Sequence, residues 1–465
     1  MPQRLDLNQM ARRTARELRG GATVALGPGH PARLPSVVPA GSGVRFLTLT
    51  GLLGFEASAT GSSIDADGRP IVPAAGGAVV SMMDLSGMLR GGKVDASVIQ
   101  AAQISAAGDL VHWTTARTPG VHAPGVAVDL ATGPQRVIAL LPHTSGDGSS
   151  NLLTQCSLPV DAFGRVDLII TDLAALRVER GRLILAELAP GWTADAVRSL
   201  TAAPLEIASD LKEMAFEVPV FTPPRKVQAS GREAIADLPD GAVVMIDGFG
   251  GPGGMPHYLL VSLRDHGARD LTIISNTAGI ARVINFGTPP GKMVIDHSLL
   301  IENHQVKKAI ASYPVSPSAS RPSAFELAYR RGEVELELVP QGTLAERLRA
   351  GGAGVAAFYT PTGAGTRIAE GKESRVIDGR EYVLELGLRA DFCLIRGHRA
   401  DTLGNVVYRG TSRNFNSVMA PAADITVVEV DEIVEPGQLD PEAIVTPGVY
   451  VNRVVRRPDD FSPYE

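Results

Sequence analysis

One arrangement of residues occurs twice in this chain of 465 residues, as ARRTARELRGGATVALGPGHPARL at 11–34 and as GREAIADLPDGAVVMIDGFGGPGGMPHYL at 231–259. Each copy begins with a helical pattern, turns at glycine, continues as a short apolar run and ends in a glycine-rich loop with proline. A new helical pattern follows each loop. The repeated order indicates that the chain is built from two related halves.

A second pair of matching segments supports the repeat. VDASVIQAAQISAAGDLV contains Asp95 and Gly108, and ADFCLIRGHRADTLGNVV contains Asp391 and Gly404, with the glycine thirteen residues after the aspartate in both. A strand-like run lies between them, and Gly-Asp or Gly-Asn marks a turn before the next apolar run. The predicted fold class is α/β, with two related open, mainly parallel-sheet domains in tandem.

The segment EVPVFTPPRKVQASG, rich in proline and polar residues, separates the two halves. This composition is typical of a linker, so we predict domains at 1–217 and 231–465, joined by a linker at 218–230. Apolar runs such as RVIALL, VDLIIT, LTIIS and TVVEV suit strands that helices cover on both faces. In sheets of this kind, ligands bind at the carboxyl ends of the strands.

The composition excludes several classes of protein. Hydrophobic residues make up 44% and charged residues 20%, which excludes a mostly disordered chain. A net charge of −6 argues against a nucleic-acid or anionic-membrane partner. Two cysteines, Cys156 and Cys393, cannot form a disulfide framework, and their apolar neighbours predict burial. Without a signal-like or transmembrane segment, we expect a protein of the reducing cytoplasm.

The glycine-rich loop after the strand AVVMI is a candidate ligand-binding element, and its glycines include Gly250, Gly251 and Gly253. Glycine allows backbone N–H groups to approach a ligand closely. The loop is not a dinucleotide-binding GxGxxG motif with a later acidic residue. A tight connection that needs glycine for its backbone angles is an equally good interpretation.

A second glycine-rich segment runs from Pro340 to Thr366. We predict that Thr343 caps a helix there, with Glu346 at capping-box spacing, and that two glycines end the helix. Small residues continue beyond that point, which the close approach of a flat or extended ligand would explain. The residues predicted to line this approach are Gly351, Gly352, Ala353, Gly354 and Val355.

The nine histidines show no spacing typical of a metal site, and we predict no bound metal. His143 ends a strand and precedes a polar loop, a place where chemistry is often found, and a site role and a plain structural role are equally good interpretations. His297 follows Asp296, which could orient it as a base. For His297 a surface or capping role is the simpler interpretation.

These segments resemble family I CoA-transferases of the 3-oxoacid type over nearly the whole chain. The second half is similar to the family's A subunit in SNTAG (275–279), PQGTLAERLRAGGAGVAAFYTPTGAGT (340–366), ADTLGNVVYR (400–409), SRNFN (412–416) and VVEVDEIVEPG (427–437). The first half resembles the B subunit in GMLRGGKVD (87–95) and QISAAGDL (103–110). The resemblance implies B before A in one chain, an active site between two open α/β domains, and coenzyme A as part of the substrate, with no separate cofactor.

The family exchanges CoA between a carboxylate and an acyl-CoA through a nucleophilic glutamate of the B half. The matching stretch here is FLTLTGLLGFEAS (46–58), where the glutamate position falls on Leu49 and the next position, an asparagine in the family, on Thr50. Leucine cannot act as a nucleophile, and we expect Leu49 at the floor of an apolar cavity. Further differences from the family's motifs fall on segments that the resemblance implies would contact the substrate. The segments that form the fold keep the family's pattern.

The resemblance and the residues leave three functions open. CoA transfer would need a substituted nucleophile, for which Glu56 is the nearby candidate, although a solvated loop charge is the simpler interpretation. Hydrolysis or carbon–carbon cleavage would proceed without a glutamyl intermediate, and the third option is a catalytically inactive binding paralogue. We assign His143 as the first candidate base and Glu56 as the second.

The remaining candidate residues are predicted to bind or orient the substrate and not to transfer a proton. Thr48 and Thr50 are predicted to orient a water or a substrate carbonyl, and Gln103 and the loop glycines to face a developing oxyanion. The expected partner is a small acyl-CoA or carboxylate, and we expect a homo-oligomer.

Overall fold

The computed structural model describes residues 2–39, 41–61, 63–65, 67–112, 125–247, 249, 254–280, 283, 288–318 and 320–465. The chain divides into two compact units, Met1–Pro224 and Arg225–Glu465. Residues of the predicted linker pack on the unit to which they belong. A Cβ added at Gly20 would lie 2.3 Å from the carbonyl oxygen of Thr222, and Val227–Gln228 pairs in parallel with Arg453–Arg456.

The first unit is a twisted sheet covered by short helices. Its strands are β1 Thr23–Leu26, β2 Arg45–Leu47, β3 Leu52–Ala57, β4 Ser63–Ile64, β5 Pro70–Val79, β6 Ala96–Gln100, β7 Gln103–Ser105, β8 Leu110–Val111, β9 Arg136–Leu140, β10 Leu152–Leu153, β11 Leu168–Ile170, β12 Ala174–Glu179, β13 Arg182–Leu188 and β14 Leu205–Glu213. Its α-helices are Leu7–Ala15, Met82–Arg90, Ala127–Thr132 and Ala194–Ser199, and a 3-10 helix spans His30–Ser36. The main sheet has the order β14-β13-β12-β11-β9-β6-β1-β2-β3-β5-β4.

The second unit has a similar construction. Its strands are β15 Val227–Gln228, β16 Val243–Ile246, β17 Leu271–Ile274, β18 Val306–Ala311, β19 Glu335–Leu338, β20 Ala357–Thr360, β21 Ser374–Ile377, β22 Arg380–Leu386, β23 Ala390–Arg396, β24 Arg399–Asp401, β25 Val406–Val407, β26 Ala423–Val430, β27 Glu432–Val434 and β28 Arg453–Arg456. Its α-helices are Gly231–Ala234, His257–His266, Ser298–Glu302, Ala324–Arg330, Gln341–Gly352 and Asn416–Met419. The main sheet has the order β15-β28-β26-β23-β16-β17-β18-β19.

The two units share one topology around a central strand. β1 pairs in parallel with β2 on one edge and β6 on the other, and β16 pairs in the same way with β17 and β23. Farther out, β9 and β11 correspond to β26 and β28. A small sheet of β7, β8 and β10 corresponds to one of β24, β25 and β27, each with one antiparallel and one parallel pairing. The prediction of two related, mainly parallel α/β halves is confirmed.

The repeated aspartates have the same role in both units. Asp95 Oδ2 accepts the backbone N–H of Thr23 at 2.8 Å, and Asp391 Oδ2 accepts that of Val243 at 2.8 Å. Each aspartate thereby fixes the start of the central strand. Gly108 and Gly404 have φ angles of 83° and 88°, the left-handed region that glycine adopts without strain. The common spacing in the sequence reflects one repeated structural unit.

The units differ at the edges of their sheets. Antiparallel strands β3, β5 and β4 follow β2 in the first unit, whereas parallel strands β18 and β19 follow β17 in the second. The central strand is buried in both units, and its apolar side chains, such as Val24 and Val244, are fully covered. Such burial is typical of parallel strands that helices cover on both faces of the sheet. Among the described residues we find no helix with the length and hydrophobicity of a membrane span.

Candidate functional site

The turn between β2 and β3 holds the position where the family's nucleophile was expected. Thr48 accepts the N–H of Gly51 at 3.3 Å, and Gly51 has a φ angle of 90°, so residues 48–51 form a tight reversal of the chain. Leu49 lies in the middle of this turn at the carboxyl end of β2 and is half-buried. Its predicted place on the floor of a cavity stays a prediction.

The two threonines beside Leu49 bond to their own hairpin. Thr50 Oγ1 donates to the carbonyl oxygen of Ile64 at 2.7 Å, so the 2.9 Å contact between the two hydroxyls has Thr48 as donor. Thr48 Oγ1 also accepts the N–H of Leu52 at 3.0 Å. Both hydroxyl protons are therefore already donated. The threonines stabilise the turn, and their predicted role toward a water or a substrate stays a prediction.

Glu56 lies on β3 beyond a bulge in its pairing with β5, opposite Val72. The side chain is exposed. A carboxylate in this environment is fully solvated, which agrees with the simpler interpretation of a surface charge. Its role as second candidate base or nucleophile remains a hypothesis.

His143 is fully buried after the end of β9. Nδ1 lies 3.0 Å from Thr171 Oγ1 and Nε2 lies 2.9 Å from Thr201 Oγ1, so both ring nitrogens have a partner. Burial lowers the pKa of His143 to about 4, against a smaller opposing effect of Asp172. The imidazole is thus neutral near pH 7 and bound within its own unit, which is typical of a structural histidine.

Gln103 is held by a neighbouring loop. Its Nε2 donates to Ser157 Oγ at 2.9 Å, and its Oε1 accepts the N–H groups of Ser157 and Leu158 at 3.0 and 3.3 Å. The amide therefore fixes residues 157–158 beside β7. Its predicted contact with a substrate oxyanion would compete with these bonds.

The glycine-rich loop after β16 lies partly outside the described residues, and the predicted donors Gly250, Gly251 and Gly253 fall in that part. Its two flanks are described. Asp247 Oδ1 accepts the N–H of Phe249 at 2.9 Å, and the carbonyl oxygen of Gly254 accepts from Asn416 Nδ2 at 2.9 Å. Both ends of the loop are thus anchored in the second unit.

Gly351 and Gly352 lie in the last turn of helix Gln341–Gly352 and are buried. A Cβ at Gly351 would lie 1.8 Å from the carbonyl oxygen of Leu388, and one at Gly352 would lie 2.7 Å from Pro421 Cβ. Both glycines are needed for packing, whatever they do toward a ligand. The loop residues predicted with them differ in exposure, since Ala353 and Val355 are half-buried and Gly354 is exposed.

The predicted cap of this helix was wrong. Pro340 is the N-cap residue, and Thr343 lies inside the helix with a buried hydroxyl that has no hydrogen-bond partner in the part of the chain described. The helix begins at Gln341, two residues before Thr343, so the threonine lies past the position from which a side chain caps the helix.

Asn276 is a candidate residue that the sequence interpretation missed. Its side chain is fully buried, and within the described residues neither its amide nitrogen nor its amide oxygen has a hydrogen-bond partner. The nearby strand β18 is followed by Ser312, whose N–H donates to the carbonyl oxygen of Asn276 at 3.2 Å and whose hydroxyl is likewise unpartnered in the described part of the chain. A buried amide is costly unless it is bonded, so the amide of Asn276, unpartnered among the described residues, is a candidate ligand-binding group.

The strand registers show that Asn276 is the counterpart of Leu49 in the second unit. Val24 pairs with Phe46 in the first unit, and Val244 pairs with Ile273 in the second. Leu49 and Asn276 each lie three residues after those partners, so they occupy equivalent positions of the repeat. The signal in the sequence was the SNTAG run directly after an apolar strand.

His297 is buried, which contradicts a surface role. It is the N-cap residue of helix Ser298–Glu302, although its side chain makes no capping hydrogen bond. Its Nε2 lies 3.1 Å from Ser275 Oγ and 3.4 Å from the carbonyl oxygen of Ile246, whereas Nδ1 has no hydrogen-bond partner among the described residues. Asp296 Oδ1 accepts the N–H of Ser298 at 2.9 Å, and the predicted role of Asp296 in orienting His297 stays a prediction. Burial lowers the pKa of His297. In the described part of the chain, no group of three or more His, Cys, Asp or Glu side chains is arranged to hold a metal ion.

Residues 7–200 and 229–457 match the sequence model of the family described as "Coenzyme A transferase". The chain belongs to the coenzyme A transferase family. It is 47% identical over 230 residues to the A subunit of the probable succinyl-CoA:3-ketoacid coenzyme A transferase of Bacillus subtilis (strain 168), and the match covers 50% of this chain and 89% of that protein. It is also 47% identical over 230 residues to the A subunit of the 3-oxoadipate CoA-transferase of Pseudomonas putida, with 50% of this chain and 93% of that one covered.

Among solved structures, glutaconate coenzyme A-transferase from Acidaminococcus fermentans is 20% identical, covers 50% of this chain and 76% of that chain, and has a TM-score of 0.42. The family membership agrees with the resemblance predicted from the sequence motifs.

We predict that the pH dependence of stability reports the burial of His143. The folded state takes up the proton only near pH 4, whereas the unfolded chain does so near 6.5, so stability is complete above pH 6.5 and falls as the pH drops toward 4. In His143→Asn this slope should decrease by up to about 1.4 kcal/mol per pH unit, measured by urea denaturation at a series of pH values. Equal slopes in wild type and His143→Asn would contradict the assignment.

We also predict that Gly351 contributes to stability independently of any ligand. Gly351→Ala should lower the free energy of unfolding by roughly 1–3 kcal/mol, because its Cβ has no room beside Leu388. Gly342→Ala, in the same helix with open space around it, should be neutral or stabilising by up to roughly 1 kcal/mol. Urea denaturation without CoA measures both. A Gly351→Ala protein as stable as wild type would show that the packing argument is wrong.

Proposed function

We propose that this member of the coenzyme A transferase family acts on a 3-oxoacyl-type CoA thioester, or a related carboxylic substrate, without forming a glutamyl-CoA intermediate. The observation that carries this proposal is the turn at residues 48–51. Its central residue is Leu49, and the hydroxyl protons of both flanking threonines are already donated within the hairpin.

The substrate class is supported by the relatives. Their names specify succinyl-CoA with a 3-ketoacid in one case and 3-oxoadipate in the other. Both relatives are A subunits that match about half of this chain, so the inference concerns the type of thioester and not one particular acid.

Three side chains that could be considered as substitutes for the glutamate, namely Glu56, Cys156 and Cys393, are poorly suited to attack a thioester. Glu56 is solvated on the surface of β3. Burial raises the pKa of the Cys156 thiol to about 11, so it is protonated and a poor nucleophile near pH 7. Cys156 is half-buried and Cys393 fully buried. CoA exchange through a nucleophilic side chain at this turn is therefore disfavoured. Attack of water on the thioester, or cleavage of a carbon–carbon bond within the acyl group, becomes the simpler chemistry.

Asn276 would contribute by binding a carbonyl oxygen. An amide N–H held in a buried site donates to an oxygen as negative charge develops on it, and such donors do not need to reorganise during the reaction. Hydrolysis, with water adding to the thioester and the CoA thiol leaving, and carbon–carbon cleavage of a 3-oxoacyl group both place negative charge on a carbonyl oxygen. CoA transfer through another nucleophile is the competing function, and a non-catalytic binding role is the third.

The first test is chemical trapping. We expect acetoacetyl-CoA to be consumed without exchange into succinate, and borohydride or hydroxylamine added during turnover to modify no glutamate in peptide mass spectrometry. Leu49→Glu is the matched variant, and a glutamate modified at position 49 there would show that the method detects the intermediate. A modified glutamate in the wild-type protein, at Glu56 or elsewhere, would contradict the proposal. Absence of turnover over a panel of acyl-CoA thioesters would support the binding role instead.

The second test separates activity from stability at Asn276. Asn276→Ala should lower kcat on the order of a hundredfold, because one donor to the developing oxyanion is lost. Its stability should change by less than about 1 kcal/mol, because an unbonded buried amide is removed. Asn405→Ala is the control, since that buried amide bonds to Asp401 Oδ2 at 2.7 Å and to the N–H of Gly448 at 2.8 Å, and its loss should reduce stability. Unchanged kcat in Asn276→Ala would exclude the oxyanion role.

A further inference from the structure

Helix His257–His266 begins directly after the glycine-rich loop of the second unit. Its N-cap residue is Pro256, which provides no side-chain hydrogen bond. The N–H groups of the first turn would therefore lack partners, and such a helix start is a ready-made site for an anion. Glu429 occupies it, because Oε2 accepts the N–H of Tyr258 at 2.9 Å and that of Leu259 at 3.2 Å.

The charge of Glu429 is balanced within the same unit. Arg396 Nη1 donates to Glu429 Oε1 at 2.9 Å. Both residues are buried, since Arg396 is 7% exposed and Glu429 is 0% exposed. Arg396 Nη2 also donates to Asp431 Oδ1 at 2.6 Å, and Arg457 reaches the same oxygen at 2.8 Å. A buried carboxylate bonded on both oxygens is held in one position.

The last residue of the loop is held by Asn416, the first residue of helix Asn416–Met419. Asn416 Nδ2 donates to the carbonyl oxygens of Gly254 and Ser412 at 2.9 and 2.7 Å. Asn416 Oδ1 accepts the backbone N–H of Arg396 at 2.9 Å. The stretch from Gly254 to Leu259 is thus attached at both ends to the carboxyl ends of β23 and β26.

In the first unit, the position equivalent to Arg396 is Gln100. Val98 pairs with Leu26 and Leu394 pairs with Ile246 of the central strands, and Gln100 and Arg396 each lie two residues after those partners. Gln100 Oε1 accepts the N–H of His30 at 2.9 Å, at the start of the 3-10 helix after the first glycine-rich loop. The first unit thus closes its helix start with Gln100 itself, whereas in the second unit Arg396 holds Glu429 of the next strand, and Glu429 closes the helix start. The position of Glu429 is occupied by Leu140 in the first unit.

We propose that Glu429, held by Arg396, is a positioning residue for the glycine-rich loop after β16. It fixes the start of helix His257–His266, directly after the last residue of the loop, and closes that helix start to phosphate groups of a ligand. The expected effect on turnover of the thioester rests on the proposed function, whereas the anchoring itself does not.

The test compares Glu429→Ala with Glu429→Gln, which retains an acceptor oxygen. We expect Glu429→Ala to lower kcat for the thioester at least roughly tenfold with a smaller change in KM, because a misplaced loop loses transition-state contacts more than ground-state binding. Glu429→Gln should recover part of this loss. Sodium formate, a free carboxylate small enough for the space beside Arg396, should also raise kcat of Glu429→Ala several-fold.

The control is Glu187→Ala in the first unit. Glu187 is a buried carboxylate that accepts from Arg13 Nη2 at 3.2 Å, so its removal breaks a comparable ion pair with a comparable effect on stability. It should leave kcat near the wild-type value and show no formate effect. Equal losses of kcat in Glu187→Ala and Glu429→Ala would reduce Glu429 to a general stabilising role and overturn the proposal.

A measurement that needs no substrate separates this proposal from the proposed function. Hydrogen exchange followed by mass spectrometry should show faster exchange in peptides containing Tyr258 and Leu259 in Glu429→Ala, and no change there in Glu187→Ala. Unchanged exchange would overturn the anchoring. Faster exchange in a protein that turns over no thioester would support the anchoring and contradict only the proposed function.

Discussion

The constraint on which the structure depends is that the central strand of each unit pairs in parallel on both edges. Thr23–Leu26 and Val243–Ile246 each have parallel neighbours on two sides. A parallel partner can be reached only by a crossover connection, so the chain leaves every such strand at the same edge. This explains why the turn at 48–51, the two glycine-rich loops, Asn276 and His143 all lie after the ends of parallel strands in their own units.

The same constraint makes the two units comparable position by position. Because the registers around the central strands agree, Leu49 corresponds to Asn276 and Gln100 corresponds to Arg396. The equivalent positions have diverged in chemistry, since one unit has an apolar side chain where the other has a buried amide. A repeated backbone has therefore been kept while the groups that it presents have changed, which is how one fold supports different functions.

The buried polar groups fall into two kinds. His143, Glu429 and Asn416 have hydrogen-bond partners on their polar atoms and fix loops or helix starts. Asn276 is buried to the same degree but, among the described residues, its amide is unbonded. Among the described residues, the buried hydroxyls of Thr343 and Ser312 belong to this second kind as well. An unbonded buried amide costs free energy that a bonded one does not, and this cost is the basis on which we propose Asn276 as a ligand-binding group. Burial alone would not separate the two kinds.

The amino-acid sequence by itself determined the α/β class, the two related halves, the central strands and the family. These follow from local patterns, namely apolar runs bounded by glycine, the spacing from Asp95 to Gly108 and from Asp391 to Gly404, and motifs such as PQGTLAER. The tertiary structure alone decided which polar side chains are satisfied. Thr343 has good capping chemistry, yet Pro340 is the N-cap residue of its helix. From the sequence, a surface or capping role is the simpler interpretation for His297, and the residue is buried beside Ser275 at the N-cap position of helix Ser298–Glu302. Whether a hydroxyl, imidazole or amide is bonded depends on partners distant in the chain, as with Glu429 and Tyr258, and no local pattern records which of them will meet.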